Sequence, residues 1–208
     1  MRLLVSVVDK KEALEAVKGG ANIIDVKNPR EGSLGANFPR VIKQVRDVVK
    51  HFGLSDTMVS ATIGDLPNLP GTASLAALGA AVSGANYIKA GLFGVKTASE
   101  AIYLLREVCR AVKDHNPSLK VIAAGYADYE SVGCLNPLQL PEVTNAAEAD
   151  GVMVDVKVKS ACKGVFSFLS KGELEKFVEK AHELNLIVAI AGSLDKSDVS
   201  SVFALGAD

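Results

Sequence analysis

Tryptophan is absent from this 208-residue chain, and aromatic residues make up only 5% of it. With 49% hydrophobic residues, packing therefore falls to aliphatic side chains and alanine rather than to large rings. Cysteine is sparse too. Cys109, Cys134 and Cys162 are odd in number and have no Cys-x-x-Cys or Cys/His ligand spacing, which excludes a disulfide framework and suits the reducing cytoplasm, the expected location. The three histidines, His51, His115 and His182, fall on polar helix faces or ends and read as solvated surface groups rather than ligands. Neither sign of charge dominates: 23 basic and 24 acidic residues leave a net charge of -1, and no stretch concentrates one sign. A nucleic acid or a membrane surface is thus not an expected partner, and small molecules are. No apolar run approaches the ~20 residues of a membrane helix. The apolar run at the start, within Met1 to Asp9, is too short for a signal peptide and reads as a buried strand.

What is present is a regular alternation. Short apolar runs at 3–8, 23–26, 58–61, 87–90, 121–124, 152–154 and 187–191 predict seven strands. Between them, apolar residues recur at three and four over 11–18, 38–52, 98–114 and 172–184, the spacing of amphipathic helices. Such alternation predicts a parallel sheet covered by helices. An internal repeat refines this. Gly20-Ala21-Asn22, Gly84-Ala85-Asn86, Glu148-Ala149-Asp150 and Gly206-Ala207-Asp208 recur at a spacing of roughly 60 residues, that of two βα units. These turns would precede strands two, four, six and eight, and eight strands close a barrel. The expectation is therefore a single α/β domain over 1–208, a TIM-type (β/α)8 barrel C-terminally incomplete, because the fourth turn falls on the last residues and strand 8 and helix 8 have no sequence. The edges of strands one and seven would then be open.

Period-two alternation in Ile23-Ile24-Asp25-Val26-Lys27 places Asp25 and Lys27 on one strand face. The apolar residues between them face the helices, so Asp25 and Lys27 point into the barrel mouth. Burial and a neighbouring cation favour the neutral, nucleophilic form of an amine. Strand four repeats the pattern with Tyr87 and Lys89, and strand six offers Asp155, Lys157 and Lys159 in alternation. A single barrel lysine is ordinarily an ion pair or a side chain reaching for solvent. Three of them converging from alternate strands with two aspartates are hard to explain as stability devices, because buried unpaired charge is expensive. Such a cluster suits carbonyl and phosphate substrates.

The loop after strand two, residues 28–36, is long for a βα connection and carries Gly32, Ser33 and Gly35. It is a candidate to close over substrate, with Ser33 as a phosphate contact, although glycine content alone also fits an ordinary turn. Gly192 and Ser193 follow strand seven and precede a helix start predicted at Asp195. Backbone N–H groups there could hold a phosphate or merely cap a helix. Tyr126 follows strand five and is read equally as an acid/base group and as a substrate-pocket lining residue. The Ala/Gly-rich segment 72–83 predicts close packing on the barrel or a subunit interface.

In Asp25-Val26-Lys27-Asn28-Pro29, Glu31-Gly32-Ser33-Leu34-Gly35-Ala36, Ser60-Ala61-Thr62-Ile63-Gly64-Asp65, Tyr87-Ile88-Lys89-Ala90-Gly91-Leu92, Gly125-Tyr126-Ala127-Asp128 and Ala191-Gly192-Ser193 the chain resembles the (5-formylfuran-3-yl)methyl phosphate synthase family. The resemblance runs the whole length. It implies condensation of two glyceraldehyde 3-phosphate molecules, with loss of phosphate and water, in methanofuran-type cofactor biosynthesis. It also implies that Lys27 is the Schiff-base lysine, Asp25 its strand partner, Lys89 the strand-four lysine and Asp155 the strand-six aspartate. Lys159 matches the strand-six lysine, and Lys157 competes with it because of a local insertion around 160–163. Neither a metal nor an organic cofactor is implied. A triose phosphate is the expected partner, in a homo-oligomeric cytoplasmic lyase. Two other readings of the same residues are a class I aldolase-like phosphosugar lyase and a truncated, non-catalytic phosphosugar-binding barrel.

Overall fold

A computed structural model of the chain describes residues 1–52, 56–159 and 163–208. Cys162 and most of the expected insertion, residues 160–162, lie outside the described residues. Seven parallel strands run in sequence order: β1 (Leu4–Val7), β2 (Ile23–Val26), β3 (Met58–Pro67), β4 (Tyr87–Gly94), β5 (Lys120–Tyr126), β6 (Gly151–Asp155) and β7 (Ile187–Ile190). All seven runs read from the sequence are strands. β3 and β4 extend beyond the predicted runs, because Gly64, Asp65, Gly91 and Gly94 continue the ladder through register shifts that apolar periodicity does not mark.

The sheet curls into a half-barrel, with helices α1 (Lys10–Lys18), α2 (Pro39–His51), α3 (Pro70–Val82), α4 (Ala98–His115), α5 (Tyr129–Val132), α6 (Leu140–Ala146), α7 (Lys171–Glu183) and α8 (Val199–Ala204). Two cores follow from period-two alternation. Ile24, Val26, Ile88, Ala90, Val121, Ala123, Val152 and Val154 pack outward against helices. Inward lie Ile122, Ala124, Tyr126 and Met153, with Leu34 from the loop after β2. The buried face of α3 is wholly alanine: Ala73, Ala77, Ala80 and Ala81, as close helix packing requires. Among the described residues no helix is long and apolar enough to cross a membrane.

The internal repeat has a hydrogen-bond meaning. Asn22, Asn86, Asp150 and Asp208 each accept, through a side-chain oxygen at 2.8 Å, the N–H of Leu3, Val59, Val121 and Val188 respectively. Each returns its own N–H to the carbonyl of the same residue, at 2.7–3.0 Å. Their carbonyls then accept from the next odd-numbered segment, at Met58, Lys120, Ile187 and Arg2. Asx side chains recur at intervals of roughly 60 residues because each ties the foot of one strand to the next. Asp208 makes the same bonds to β7 and to Arg2, so the base of the half-barrel is linked across its two end strands. Higher up, β1 and β7 do not pair.

Removing one such acceptor leaves a strand N–H unpaired. Asn86→Ala is expected to lower stability by about 1–3 kcal/mol, and Asn86→Asp, the residue used at positions 150 and 208, by less; urea unfolding monitored by circular dichroism measures both.

Candidate active site

The centre of the site is a buried ion pair. Asp25 on β2 is fully buried, and the Lys89 ammonium on β4 donates to its Oδ2 at 2.7 Å. The two strands are not neighbours, so the pair spans β3, where Ser60 stands opposite Asp25 in the register and leaves room. Ser6 of β1 donates to the same Oδ2 at 3.0 Å. Burial pushes the Asp25 carboxyl up, but the charge and hydrogen bond of Lys89, helped by the charge of Lys27, bring it below the ordinary aspartate value. Asp25 is therefore ionised at neutral pH. Its Oδ1 and the Ser60 hydroxyl are buried with no partner at hydrogen-bond geometry, the only such groups besides Thr144 Oγ1 among the described residues.

Lys27 continues β2 by two residues toward the mouth. Its ammonium enters no hydrogen bond or ion pair among the described residues. It lines two cavities: one of about 1210 Å³ that also reaches Lys89, Asp155 and Lys159, and one of about 310 Å³ under the loop after β2. Lys159 lines both as well.

That loop is folded down on the mouth. A short 3-10 turn at Pro29–Glu31 starts it, and Gly35 accepts from the Thr62 hydroxyl at 2.7 Å and from Asn28 N–H at 2.8 Å. Leu34 is buried in the inner core, and Ser33 reaches across to β6, donating to Asp155 Oδ2 at 3.2 Å and Val156 O at 3.0 Å. Gly32 has φ of +132°, and a Cβ there would lie 2.2 Å from Asp65 Oδ2, so only glycine fits.

On β6, Asp155 is buried and accepts from the Lys159 ammonium and from Val156 N–H at 2.8 Å. Lys157 is committed elsewhere: it pairs with Asp65 Oδ2 at 2.9 Å and sits 4.5 Å from the centroid of the Phe93 ring. Between the two strand-six lysines, Lys159 is thus the one joined to Asp155. The backbone that presents them is held by Asp128, whose two oxygens accept from Lys157 N–H at 2.8 Å and Val158 N–H at 2.9 Å.

The structure therefore brings together Asp25, Lys27, Lys89, Asp155, Lys159 and Ser33. Tyr126 is placed differently. It is fully buried, its hydroxyl donates to Asp65, and it lines neither cavity, because Gly91 and Phe93 close over it. Gly192 and Ser193 line the large cavity with positive φ of 110° and 52°. The helix expected to begin at Asp195 begins instead at Val199 and has six residues. Asp195 and Asp198 themselves accept the N–H groups of Ser197 and Asp195, so the turn caps itself. Asp65 and Asp128 escaped sequence reading as site residues. Both stand within the motifs quoted above, but neither alternates with an apolar run in a way that shows which side it faces.

Neither described thiol is a candidate nucleophile: burial pushes Cys109 up to about 12 and Cys134 to about 11. Among the described residues no three metal-ligating side chains of the His, Cys, Asp or Glu type come together.

A family model described as 4-HFC-P synthase matches residues 3–208. The (5-formylfuran-3-yl)methyl phosphate synthase of Methanopyrus kandleri is 53% identical over 207 residues, spanning all of this chain and 85% of its own length. Those of Archaeoglobus fulgidus and Methanocaldococcus jannaschii are each 50% identical over 208 residues, with 87% and 86% of their lengths covered. The chain belongs to this synthase family. In fold, the chain is similar to solved structures whose titles include aldolases. The solved structure titled QR15, an aldolase, superposes with a TM-score of 0.67 at 17% identity, over all of this chain and 86% of that one. Deoxyribose phosphate aldolase from Aeropyrum pernix gives 0.65 at 12%, over 99% and 80%.

For this member of the synthase family, the Asp25–Lys89 pair sets a stability test. Lys89→Met leaves a buried carboxylate without its counter-charge and is expected to cost roughly 3–5 kcal/mol, most of it recovered in the Asp25→Asn/Lys89→Met double variant, as read from denaturant melts. The lowered Asp25 value also fixes a sign. Its contribution is present above the unfolded-state value of ~3.9 and is lost as pH falls through the lower folded value, so Asp25→Asn should flatten the acid limb of the stability profile.

Proposed function

We propose that the chain makes (5-formylfuran-3-yl)methyl phosphate, a furan for methanofuran-type cofactors, by condensing two glyceraldehyde 3-phosphate molecules through a Schiff base on Lys27. The observation that carries the reading is the charge pattern at the mouth. Lys89, Lys157 and Lys159 each hold a carboxylate partner, whereas Lys27 faces both cavities with none among the described residues.

In the proposed course, Lys27 attacks a triose carbonyl and the iminium acidifies the adjacent carbon. Asp25 or Asp155 takes that proton. Asp25 is ionised and has a free buried oxygen, Oδ1, and Asp155 borders the large cavity. Lys89 and Lys159 stabilise phosphate and developing oxyanions as one phosphate leaves, and then as the second triose adds and the ring closes with dehydration. The proposed architecture is the first seven units of an eight-stranded (β/α)8 barrel. It is supported by the Asp208 bonds, which repeat those of Asn22, Asn86 and Asp150 at the starts of β2, β4 and β6.

The test is borohydride trapping with glyceraldehyde 3-phosphate, read by intact mass and peptide mapping. The expected adduct lies on Lys27; an adduct on Lys89 instead would overturn the assignment. Lys27→Arg should abolish it and lower furan formation by at least ~10³-fold, and Asp155→Asn should lower the rate by about 10²–10⁴-fold. A furan chromophore arising from triose phosphate alone separates this reaction from a simple aldol cleavage.

A further inference from the structure

The smaller cavity has a construction of its own. Among the described residues its lining is Lys27, Pro29, Gly32, Ser33, Lys157 and Lys159, and its volume of about 310 Å³ suits a small ligand. Half of that lining is lysine. The carboxylates that partner two of these lysines stand behind them: neither Asp65 nor Asp155 lines the cavity. The surface offered to a ligand is thus cationic, with the balancing charge set back in the fold.

Lys157 is fixed more firmly than an ion pair alone would require. Asp65, which holds it at 2.9 Å, is itself held by the Tyr126 hydroxyl and by Leu34 N–H at 3.4 Å, and the Phe93 ring lies under the ammonium. Gly32 brings the loop against both partners, since a Cβ there would lie 3.3 Å from Lys157 Nζ. An ammonium whose rotamer is settled beforehand loses little freedom when an anion arrives. Lysine binds phosphate as a point charge, and Lys157 and Lys159 set two such charges beside one small cavity, which matches a phosphate monoester.

We propose that this cavity is a second phosphate-monoester subsite, where Lys157, with Lys159, holds the phosphate of the second triose beside Lys27. The proposal rests on the two-triose reading given above. Among the described residues Lys27 and Lys159 are the two that line both cavities, so Lys27 stands between a chamber for the triose it binds covalently and a chamber for the triose that adds to it.

Two readouts separate the subsite from the Schiff-base reading. Borohydride trapping at Lys27 reports the first triose alone; furan formation requires both. Lys157→Gln removes the charge while an amide can still donate to Asp65, and Lys157→Arg restores the charge. In Lys157→Gln, trapping at Lys27 should keep its wild-type concentration dependence. The triose phosphate concentration that half-saturates furan formation should rise about 10- to 100-fold, the scale of one charge-assisted hydrogen bond, and Lys157→Arg should recover most of it. Calorimetric titration with inorganic phosphate should find two sites in the wild-type protein and one in Lys157→Gln. Unchanged half-saturation in Lys157→Gln, equal loss of trapping and furan formation, or a single phosphate site in the wild type would each overturn the subsite. If wild-type protein traps no adduct, the Schiff-base reading fails, and phosphate stoichiometry in the wild type decides the subsite by itself.

Discussion

A carboxylate and an ammonium buried together on the concave face of the sheet, Asp25 and Lys89, constrain everything around them. Their side chains are 0% and 3% exposed, and they meet at 2.7 Å across an intervening strand. That reach is possible only because β3 presents small groups inward, Ser60 opposite Asp25 and Thr62 opposite Lys89. A buried pair of this kind adds little net stability over apolar residues of the same volume, since both charges give up their hydration. What it does is fix a carboxylate in its ionised form with one oxygen bonded and the other free. It also commits Lys89 to Asp25, which leaves Lys27, two residues further along β2, without a partner.

The second constraint is Asp65, and it operates on the roof rather than the floor. One carboxylate gathers the Tyr126 hydroxyl from β5, the Lys157 ammonium from beyond β6 and the Leu34 N–H from the loop after β2. It thereby joins segments that no strand pairing joins. Gly32 and Gly91 are the cost in sequence: a side chain at Gly32 would strike Asp65, and one at Gly91 would meet Gly64 O and the Tyr126 hydroxyl at 2.9 Å and Asp65 Oδ1 at 3.0 Å. The position of the roof loop is thus determined by a polar hub, with Leu34 supplying the apolar contact that seals it.

Strand count, strand order and the inward set Asp25, Lys27, Lys89 and Asp155 were legible because each rests on a period of two beside a clean apolar run. The repeat of Gly-Ala-Asn turns was legible as spacing, and its cause, Asx side chains bonding the feet of neighbouring strands, is a matter of geometry that spacing alone does not reveal. For Tyr126 the sequence leaves an acid/base group and a pocket-lining residue equally open because the residue follows an apolar run; the strand continues through it, and its hydroxyl is spent on Asp65 below the surface. Asp65 itself lay beyond reach for the complementary reason. It follows Gly64, where the pairing with β4 shifts register, so alternation counted from Met58 no longer gives the facing side. The start of α8 falls later than the sequence predicts because Asp195 looks like a helix cap, and in the fold it closes a turn with Asp198 before the helix begins.

The arrangement also resolves a conflict inherent in the proposed chemistry. A phosphate dianion near a lysine favours the ammonium, whereas attack on a carbonyl needs the free amine. A site with one kind of lysine could not serve both needs. Here the lysines fall into two kinds. Lys89, Lys157 and Lys159 each lie against a carboxylate, which anchors the side chain where an anion can meet it. Lys27 has no carboxylate of its own, while the one nearest along its strand is already neutralised by Lys89. Three lysines anchored in this way can take up the phosphates and leave Lys27 to the carbonyl, so the pairing pattern, rather than the number of lysines, divides binding from nucleophilic attack.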